Sequence, residues 1–221
     1  MLLAGSAGGG KSALASAKLH AFCIKYPGAT GLMMRKTRQS MTNSTVLYFE
    51  REVAQGTCIH VSSKNRFEYP NGSVLAYGGM ADEEQKEQIR SIGQQGGVDM
   101  VWMEEANRFT EDDFNEVLAR LRGRAASWRQ VILSTNPGAP THWIKRRLID
   151  GNEASVFYSK AGDNRYNPDD YQATLHRLTG VAHRRMAEGL WVQAEGTVYA
   201  DWDSSIMLVT EGQLREWGIL T

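Results

Sequence analysis

The stretch Gly5-Ser6-Ala7-Gly8-Gly9-Gly10-Lys11-Ser12 decides the fold class of this 221-residue chain. It fits G-x-x-x-x-G-K-[ST], the pattern of a phosphate-binding loop. Glycines lack a Cβ, so the backbone can curl around a phosphate and point its N–H groups inward. Lys11 supplies a full positive charge for the outer phosphates, and the Ser12 hydroxyl is an oxygen ligand for Mg²⁺. The loop therefore predicts binding of a nucleoside triphosphate with Mg²⁺.

The sequence on either side of the loop supports this interpretation. Met1-Leu2-Leu3 is apolar and can end a buried strand, and Ser12 to Tyr26 has the pattern of a helix. A helix N-terminus adds a partial positive charge where a phosphate would lie. The alternative is a flexible Gly-rich turn that happens to precede Lys-Ser, because the chain contains 22 glycines. The strand and helix favour the phosphate loop.

Composition excludes some classes of protein. The formal net charge is 0, which argues against a strongly basic nucleic-acid coat but leaves room for a local basic patch. Cys23 and Cys58 lack metal-ligand spacing, and Cys23 falls on the apolar side of the first helix, so we expect a buried thiol in a reducing cytoplasm. No apolar run of about 18 residues is present, so no membrane span is expected.

Strand and helix patterns alternate along the chain. An Asn-Gly turn predicts a hairpin over residues 66–77, and helices are expected near 39–54, 83–89, 110–122, 143–149 and 168–191, the last broken near Gly180. Buried strands are expected at 30–35, 98–103, 129–135 and 156–158. Such alternation predicts an α/β fold with a mostly parallel sheet flanked by helices.

Polar motifs follow three of the predicted strands. Lys11 follows the first, Glu104-Glu105 the strand at 98–103, and Ser134-Thr135-Asn136 the strand at 129–135. Ligands of parallel sheets bind at the carboxyl ends of the strands. We therefore expect the three motifs to lie on one rim and to form one site.

The two adjacent glutamates fit the acid roles of a nucleotide-hydrolysing site. Glu104 is assigned to the Mg²⁺ shell and Glu105 to the general base that activates water. Asp is the more usual residue on the metal side, and Glu104 is one methylene longer. The alternative is that the pair only places solvated charge at a strand end.

Three further groups each leave two interpretations open. Ser134, Thr135 and Asn136 could sense the γ-phosphate or hold the attacking water, or they could simply build an Asn-Pro-Gly turn. Arg90 or Arg35 could stabilise transition-state charge, Arg90 from a neighbouring subunit, or each could be a solvated surface arginine. The basic clusters at 120–124 and 145–147 could contact nucleic-acid phosphates or form solvated faces.

Taken in order, the motifs resemble the ATPase domain of the large terminase subunit of tailed bacteriophages. The resemblance covers about residues 1–203 and rests on five matching pieces, followed by a passage that looks like the exit from that domain: GSAGGGKS, MMRKTRQSM, YPNGSVLAYGG, VDMVWMEEANRF and VILSTNPGAPTHWIKRRL, then GDNRYNPDDY…GLWVQAEGTVYADWD.

This resemblance implies a P-loop ATPase of the additional-strand, catalytic-glutamate type that works as a ring at the portal of a procapsid and drives double-stranded DNA inward. By motif match, Lys11 and Ser12 bind phosphate and Mg²⁺, Glu104 is the metal-side acid and Glu105 the catalytic glutamate. Ser134-Thr135-Asn136 matches the motif that couples hydrolysis to movement. Arg90 lies where some relatives supply an arginine in trans. The implied partners are the portal protein and the small terminase subunit, and the implied location is the host cytoplasm.

The chain departs from the family pattern in two ways. The segment that contacts adenine is expected before the phosphate loop, yet Met1 stands just ahead of it, and the nuclease half is not visible either. We expect an ATPase domain over residues 1–195 and a passage toward a nuclease over 196–221, where Asp201 and Asp203 are not read as nuclease metal ligands. The alternatives are a RecA-like helicase or recombinase motor, and a nucleotide-binding scaffold without turnover.

Overall fold

The computed structural model describes residues 1–92, 97–168, 170–193 and 209–219. Its centre is an eight-stranded sheet with the order β3-β4-β5-β2-β6-β7-β1-β8. The strands are β1 (Leu2–Gly5), β2 (Thr30–Met34), β3 (Ile59–Val61), β4 (Arg66–Glu68), β5 (Val74–Gly78), β6 (Met100–Glu104), β7 (Gln130–Ser134) and β8 (Val156–Ser159).

The sheet is parallel from β5 to β8 and antiparallel only at the β3-β4-β5 edge. One strand, β7, lies between the loop-bearing strand β1 and the acidic strand β6. The predicted mostly parallel α/β sheet is confirmed. The sequence analysis missed β3, whose three residues are too few to show a periodic pattern.

Helices cover both faces of the sheet. They are α1 (Lys11–Lys25), α2 in three consecutive pieces (Arg38–Ser40, Met41–Val46 and Phe49–Ala54), α3 (Glu83–Ser91), α4 (Glu111–Arg120), α5 (Ile144–Asp150), α6 (Tyr171–His176), α7 (Gly180–Met186) and α8 (Glu211–Glu216). The second and third pieces of α2, and all of α5, are wound as wide π-helical turns. Most of the predicted 196–221 tail lies outside the described residues.

The core forms two layers because successive residues of a strand point to opposite faces of the sheet. Leu2, Leu32 and Val101 lie in one buried cluster. Leu3 and Trp102 lie in the other, against α1 and α2. The central parallel strands are therefore buried on both faces, as their continuous apolar runs indicated.

The predicted hairpin at residues 66–77 is confirmed as β4 and β5, and its turn also closes the end of α1. The Asn71 side-chain amide donates to the carbonyl oxygens of Cys23 and Ile24, each at 2.9 Å. Carbonyls in the last turn of a helix lack an intrahelical partner. The turn thus satisfies two of them and fixes α1 relative to the sheet.

No helix of the described residues is both long and apolar enough to cross a bilayer.

Gly5 is held in a backbone conformation and a space that exclude a side chain. Its φ is 122°, and a Cβ there would lie 2.0 Å from the Ser159 carbonyl oxygen. Gly28 also has a positive φ, 72°, but a Cβ there would meet nothing within 4 Å. A side chain at Gly28 would meet backbone strain alone, whereas a side chain at Gly5 would meet both strain and steric overlap.

We predict that Gly5→Ala lowers the free energy of unfolding by roughly 3 kcal/mol or more, because β1 and β8 must separate. Gly28→Ala should cost only about 1 kcal/mol, from backbone strain alone. Urea denaturation of both variants measures the difference. Equal losses would show that β1 and β8 do not approach as closely as described.

Candidate functional site

The phosphate loop leaves the start of α1 open to an anion. Gly8 and Gly10 adopt left-handed conformations, with φ of 73° and 75°. Gly10 precedes α1 without a side-chain cap, and the first turn of α1 carries no acidic residue. The N–H groups and the positive end of the helix dipole are therefore available to a phosphate.

Residues of β8, the neighbour of β1 at the edge of the sheet, and of the segments after it fix the first half of the loop. The Ser6 N–H donates to the Ser159 carbonyl at 3.0 Å, and the Ala161 N–H donates to Ser6 Oγ at 2.9 Å. The Ala7 N–H donates to the Met186 carbonyl at 2.9 Å, at the end of α7. The loop is therefore shaped by β8 and α7 as well as by its own glycines.

Two asparagines hold the middle of the loop through one carbonyl. Asn164 and Asn167 donate from their side-chain amides to the Gly8 oxygen, at 2.9 and 3.0 Å. A Cβ on Gly8 would lie 2.3 Å from the Tyr171 ring, so this position requires glycine as well. The two amides therefore anchor the middle of the loop to the segment after β8.

The Lys11 ammonium group is folded back on the loop. It donates to the Ser6 carbonyl and, at 3.4 Å, to the Gly5 carbonyl. Burial lowers the pKa of Lys11 to about 8. A phosphate would supply the negative partner that the two neutral carbonyls do not, so the position of Lys11 suits an anion of high charge.

Glu104 ends β6 and is buried, with 8% of its surface exposed. Its Oε2 accepts a short hydrogen bond from the Thr45 hydroxyl of α2 and lies 3.1 Å from Arg35 Nε. Both contacts are to the same oxygen, so they fix the direction in which the carboxylate points.

Glu105 has the left-handed conformation, with φ 52°. Non-glycine residues held in this region are strained, and such residues concentrate at functional sites. The Glu105 side chain is half exposed, at 50%, and its Oε1 lies 2.6 Å from an Arg35 NH2 nitrogen. Both carboxylates therefore contact the same guanidinium, and the separate roles predicted for the two acids stay predictions.

Ser134, Thr135 and Asn136 continue β7 at the same rim. Ser134 Oγ accepts from the Trp102 indole at 2.8 Å, which ties β7 to the acidic strand inside the sheet. The Thr135 N–H donates to the Leu3 carbonyl at 3.0 Å. The segment is therefore fixed between the acidic strand and the loop-bearing strand.

All three motifs line one cavity of about 580 Å³. Its walls combine the loop, the two glutamates and the β7 rim with residues of α2 and the segment after β8: Ala7–Ala13, Arg35, Ser44, Thr45, Tyr48, Trp102, Glu104, Glu105, Asn107, Arg108, Ser134–Asn136, Asn164, Asn167 and Met186. The three motifs thus lie together at one rim, as expected, and their roles as one site stay a prediction.

Arg90 does not line this cavity. It lies in α3, 31% exposed, and its guanidinium contacts three carboxylates of its own chain: Glu83, Glu87 at 3.3 Å and Glu116 at 2.7 Å. A role in a neighbouring subunit's site stays a prediction, and it requires Arg90 to leave these partners. The arginines that line the cavity are Arg35 and Arg108.

Several site residues escaped the sequence analysis. Thr45 carries no motif signal, and Asn164 and Asn167 lie in the GDNRYNPDDY passage, which indicated only the exit from the domain. Such ordinary polar residues contact the loop and the acids only after the chain folds back. Arg35 was considered as a catalytic cation, but its pairing with both glutamates was not foreseen.

The donor set fits a Mg²⁺ ion that accompanies phosphates. Mg²⁺ usually takes one or two protein oxygens and keeps water and phosphate oxygens for the rest. Ser12 and Glu104 supply a hydroxyl and a carboxylate to the same cavity. Among the described residues no group of three or more His, Cys, Asp or Glu could hold a metal alone.

Comparison with known proteins agrees with this geometry. The family model of the phage terminase large subunit matches residues 1–184, most of the chain. The chain belongs to the phage terminase large-subunit family. A relative in this family, the PBSX phage terminase large subunit of Bacillus subtilis strain 168, is 23% identical over 174 residues, which cover 67% of this chain and 39% of the relative.

Solved structures of the family share the fold. A large terminase from a thermophilic bacteriophage superposes with a TM-score of 0.76 at 20% identity, covering 93% of this chain and 51% of that one. The ATPase domain of the Thermus phage P74-26 large terminase gives a TM-score of 0.60 at 13% identity, covering 86% and 88%. The predicted α/β fold is the fold of these large terminase structures, and the chain spans about half of the first of these proteins.

The lowered pKa of Lys11 makes stability depend on pH in a defined window. Unfolding returns the pKa from about 8 to 10.5, so between these values the unfolded chain holds a proton that the folded chain has lost. Stability of the folded state therefore rises with pH across this window.

We predict that Lys11→Met is more stable than the wild type by at least about 1 kcal/mol at pH 7.5, and that the gap narrows toward pH 10. Chemical denaturation of both proteins at several pH values measures it. A difference in stability that stays constant or widens with pH would contradict the conclusion that burial of the Lys11 charge destabilises the folded state.

Proposed function

We propose that this chain hydrolyses ATP to drive double-stranded viral DNA into a procapsid, as the ATPase domain of a large terminase. The observation that carries the proposal is the convergence of Lys11, Glu104-Glu105 and the 134–136 segment on one cavity. Structures of the same thermophilic-phage large terminase in complex with ADP and with ATP-γ-S, which share this fold with TM-scores of 0.73 and 0.71, support nucleotide as the ligand. We assign the ATPase domain to residues 1–195 and the passage out of it to 196–221.

Nucleotide binding uses the loop as it is built. The N–H groups of residues 8–12 and the start of α1 receive the phosphates, and Lys11 exchanges the carbonyls of Gly5 and Ser6 for the outer phosphates. This exchange replaces two neutral acceptors with a strong charged one. Asn164 and Asn167 donate to the Gly8 carbonyl and so hold the loop in this shape.

Ser12 and Glu104 are the residues that would hold Mg²⁺. When bound, Mg²⁺ neutralises charge on the phosphates and orients them for transfer. Glu104 is suited to this role because it is buried and because the Thr45 hydroxyl donates to its carboxylate.

Glu105 is the general base in this proposal. Its carboxylate is more exposed than that of Glu104, and the left-handed backbone directs it to the cavity where a water can reach it. A base must contact the proton that it removes. The same carboxylate now contacts Arg35, so it becomes free to act only when that contact changes.

Ser134, Thr135 and Asn136 are proposed to sense the γ-phosphate. They lie between the loop strand and the acidic strand, and Ser134 is bonded to Trp102 two residues before Glu104. A shift of this segment would be transmitted to both neighbouring strands, which suits a part that couples hydrolysis to movement.

The family suggests the partners, and the arginines that line the cavity of one chain bear on the role of Arg90. We propose a homo-oligomeric ring that acts in the host cytoplasm, with double-stranded DNA, the portal protein and the small terminase subunit as partners. Arg90 is proposed to complete a neighbouring subunit's site, because α3 is exposed and the cavity of one chain holds no arginine from that helix.

The function is tested by ATP turnover with and without double-stranded DNA. Lys11→Ala should abolish turnover by removing charge from the outer phosphates. Glu105→Gln should keep ATP binding and lose turnover at least about a hundredfold, because an amide cannot accept the water's proton. Wild-type turnover that both variants retain would contradict the site.

Varying the nucleic acid added to the same assay distinguishes a packaging motor from a helicase, a recombinase or a scaffold module. Stimulation by double-stranded DNA supports the packaging motor, whereas stimulation by single strands alone would indicate a helicase or recombinase. ATP binding without turnover in wild type and Glu105→Gln alike would indicate a scaffold module.

The trans role of Arg90 is tested by mixing inactive variants. Arg90→Ala and Glu105→Gln should each be inactive alone and recover activity when mixed, because some interfaces then combine an intact arginine with an intact base. Arg124→Ala, which removes another exposed arginine, should stay active and serves as control. If ATP turnover does not recover at concentrations where the ring forms, Arg90 does not act in a neighbouring subunit's site.

A further inference from the structure

Arg35 connects both acids of the site to helix α2. From the end of β2, its Nε lies 3.1 Å from Glu104 Oε2 and an NH2 nitrogen lies 2.6 Å from Glu105 Oε1. Its NH1 nitrogen donates to Ser44 Oγ at 2.8 Å and to the Ser40 carbonyl at 3.2 Å. One guanidinium thus joins the acidic strand to the first turns of α2.

The ion pairs of Arg35 are little screened by water, but its hydrogen bonds are incomplete. The Arg35 side chain is only 15% exposed, so its charge pairs are less screened than those at the surface. Its Nε is buried and has no aligned hydrogen-bond partner in the described structure, although Glu104 is near. A buried donor without a partner raises the free energy of this arrangement.

We propose that Arg35 is a positioning residue that keeps Glu104 and Glu105 idle until a nucleotide arrives, and that its release moves α2. The proposal rests on the function proposed above, because a phosphate group with its cation is what displaces Arg35. The acids would otherwise form a pair of adjacent charges open to any divalent cation.

Competition for the same atoms explains the displacement. A divalent cation at Glu104 takes the carboxylate that now faces Arg35 Nε, and a phosphate competes for the guanidinium itself. As Arg35 turns toward the phosphate, Glu105 is left free to contact water. Arg35 NH1 is bonded to Ser40 and Ser44, so this turn also pulls on α2.

Helix α2 is built to respond to such a pull. Its middle is wound in wide π-helical turns, which occur frequently at functional sites. Thr45, one residue after Ser44, donates to Glu104. A movement of Ser44 with Arg35 would therefore also change the contact between Thr45 and Glu104. The Arg38 N–H donates to Gln85 of α3 at 3.1 Å, which extends the connection to the helix that carries Arg90.

The first test measures Mn²⁺ binding without nucleotide by electron paramagnetic resonance. Arg35→Gln should bind Mn²⁺ at least about tenfold more tightly than the wild type, because two carboxylates lose their counter-ion. Arg38→Gln, which removes an exposed arginine of the same segment, should not change the affinity. Equal affinity of Arg35→Gln and wild type would overturn the proposal.

If Arg35→Gln does not fold, Arg35→Lys tests the same point. Lysine keeps the charge as a single ammonium and cannot span both glutamates and α2, so Mn²⁺ affinity should lie above that of the wild type. Wild-type affinity in this variant would overturn the proposal as well.

The second test follows amide hydrogen exchange on adding Mg²⁺ with ATP-γ-S. In the wild type, residues 8–14 should gain protection and residues 38–48 should change exchange rate at least about threefold. Ser44→Ala keeps both ion pairs but loses an anchor on α2, so its loop should still gain protection while the change in 38–48 shrinks. A protected loop with unchanged α2 in the wild type contradicts the Arg35 proposal, whereas an unprotected loop contradicts the proposed function.

Discussion

The parallel pairing of β6, β7 and β1 is the constraint on which the rest of this structure depends. Parallel strands end at the same edge of a sheet, so three short motifs far apart in sequence meet without any loop having to reach across the molecule. Burial on both faces fixes the register of these strands, because a one-residue slip would exchange their two apolar faces. The positions of Lys11, Glu104 and Ser134 follow from that register.

Much of the fold and part of the site could be predicted because their signals are local. The glycines and Lys11 form a contiguous motif, and Glu104-Glu105 follow a run of buried residues. The contacts of Thr45, Asn164 and Asn167 could not be predicted, since they form only when α2 and the segment after β8 fold back on the loop. The same holds for Arg35, whose partners lie 69 and 70 positions along the sequence.

The site combines a loop that is ready for a ligand with acids that are already occupied. The N–H groups of Ser6 and Ala7 are bonded, those of residues 8–12 are open in the described structure, and Lys11 has only neutral partners, whereas both glutamates contact Arg35. In the proposed mechanism this arrangement favours binding before chemistry, because the ligand frees Glu105 from Arg35. It also gives the family fold a direct connection from phosphate to α2 and α3 within one chain.

A crystal structure with Mg²⁺ and a non-hydrolysable ATP analogue tests the central claim most directly. We expect phosphates on the N–H groups of residues 8–12, Lys11 turned from the carbonyls of Gly5 and Ser6 to the outer phosphates, and Arg35 separated from Glu105. A nucleotide bound elsewhere, or an occupied loop with Lys11 still on its carbonyls, would contradict the assignment of this cavity as the site of ATP hydrolysis.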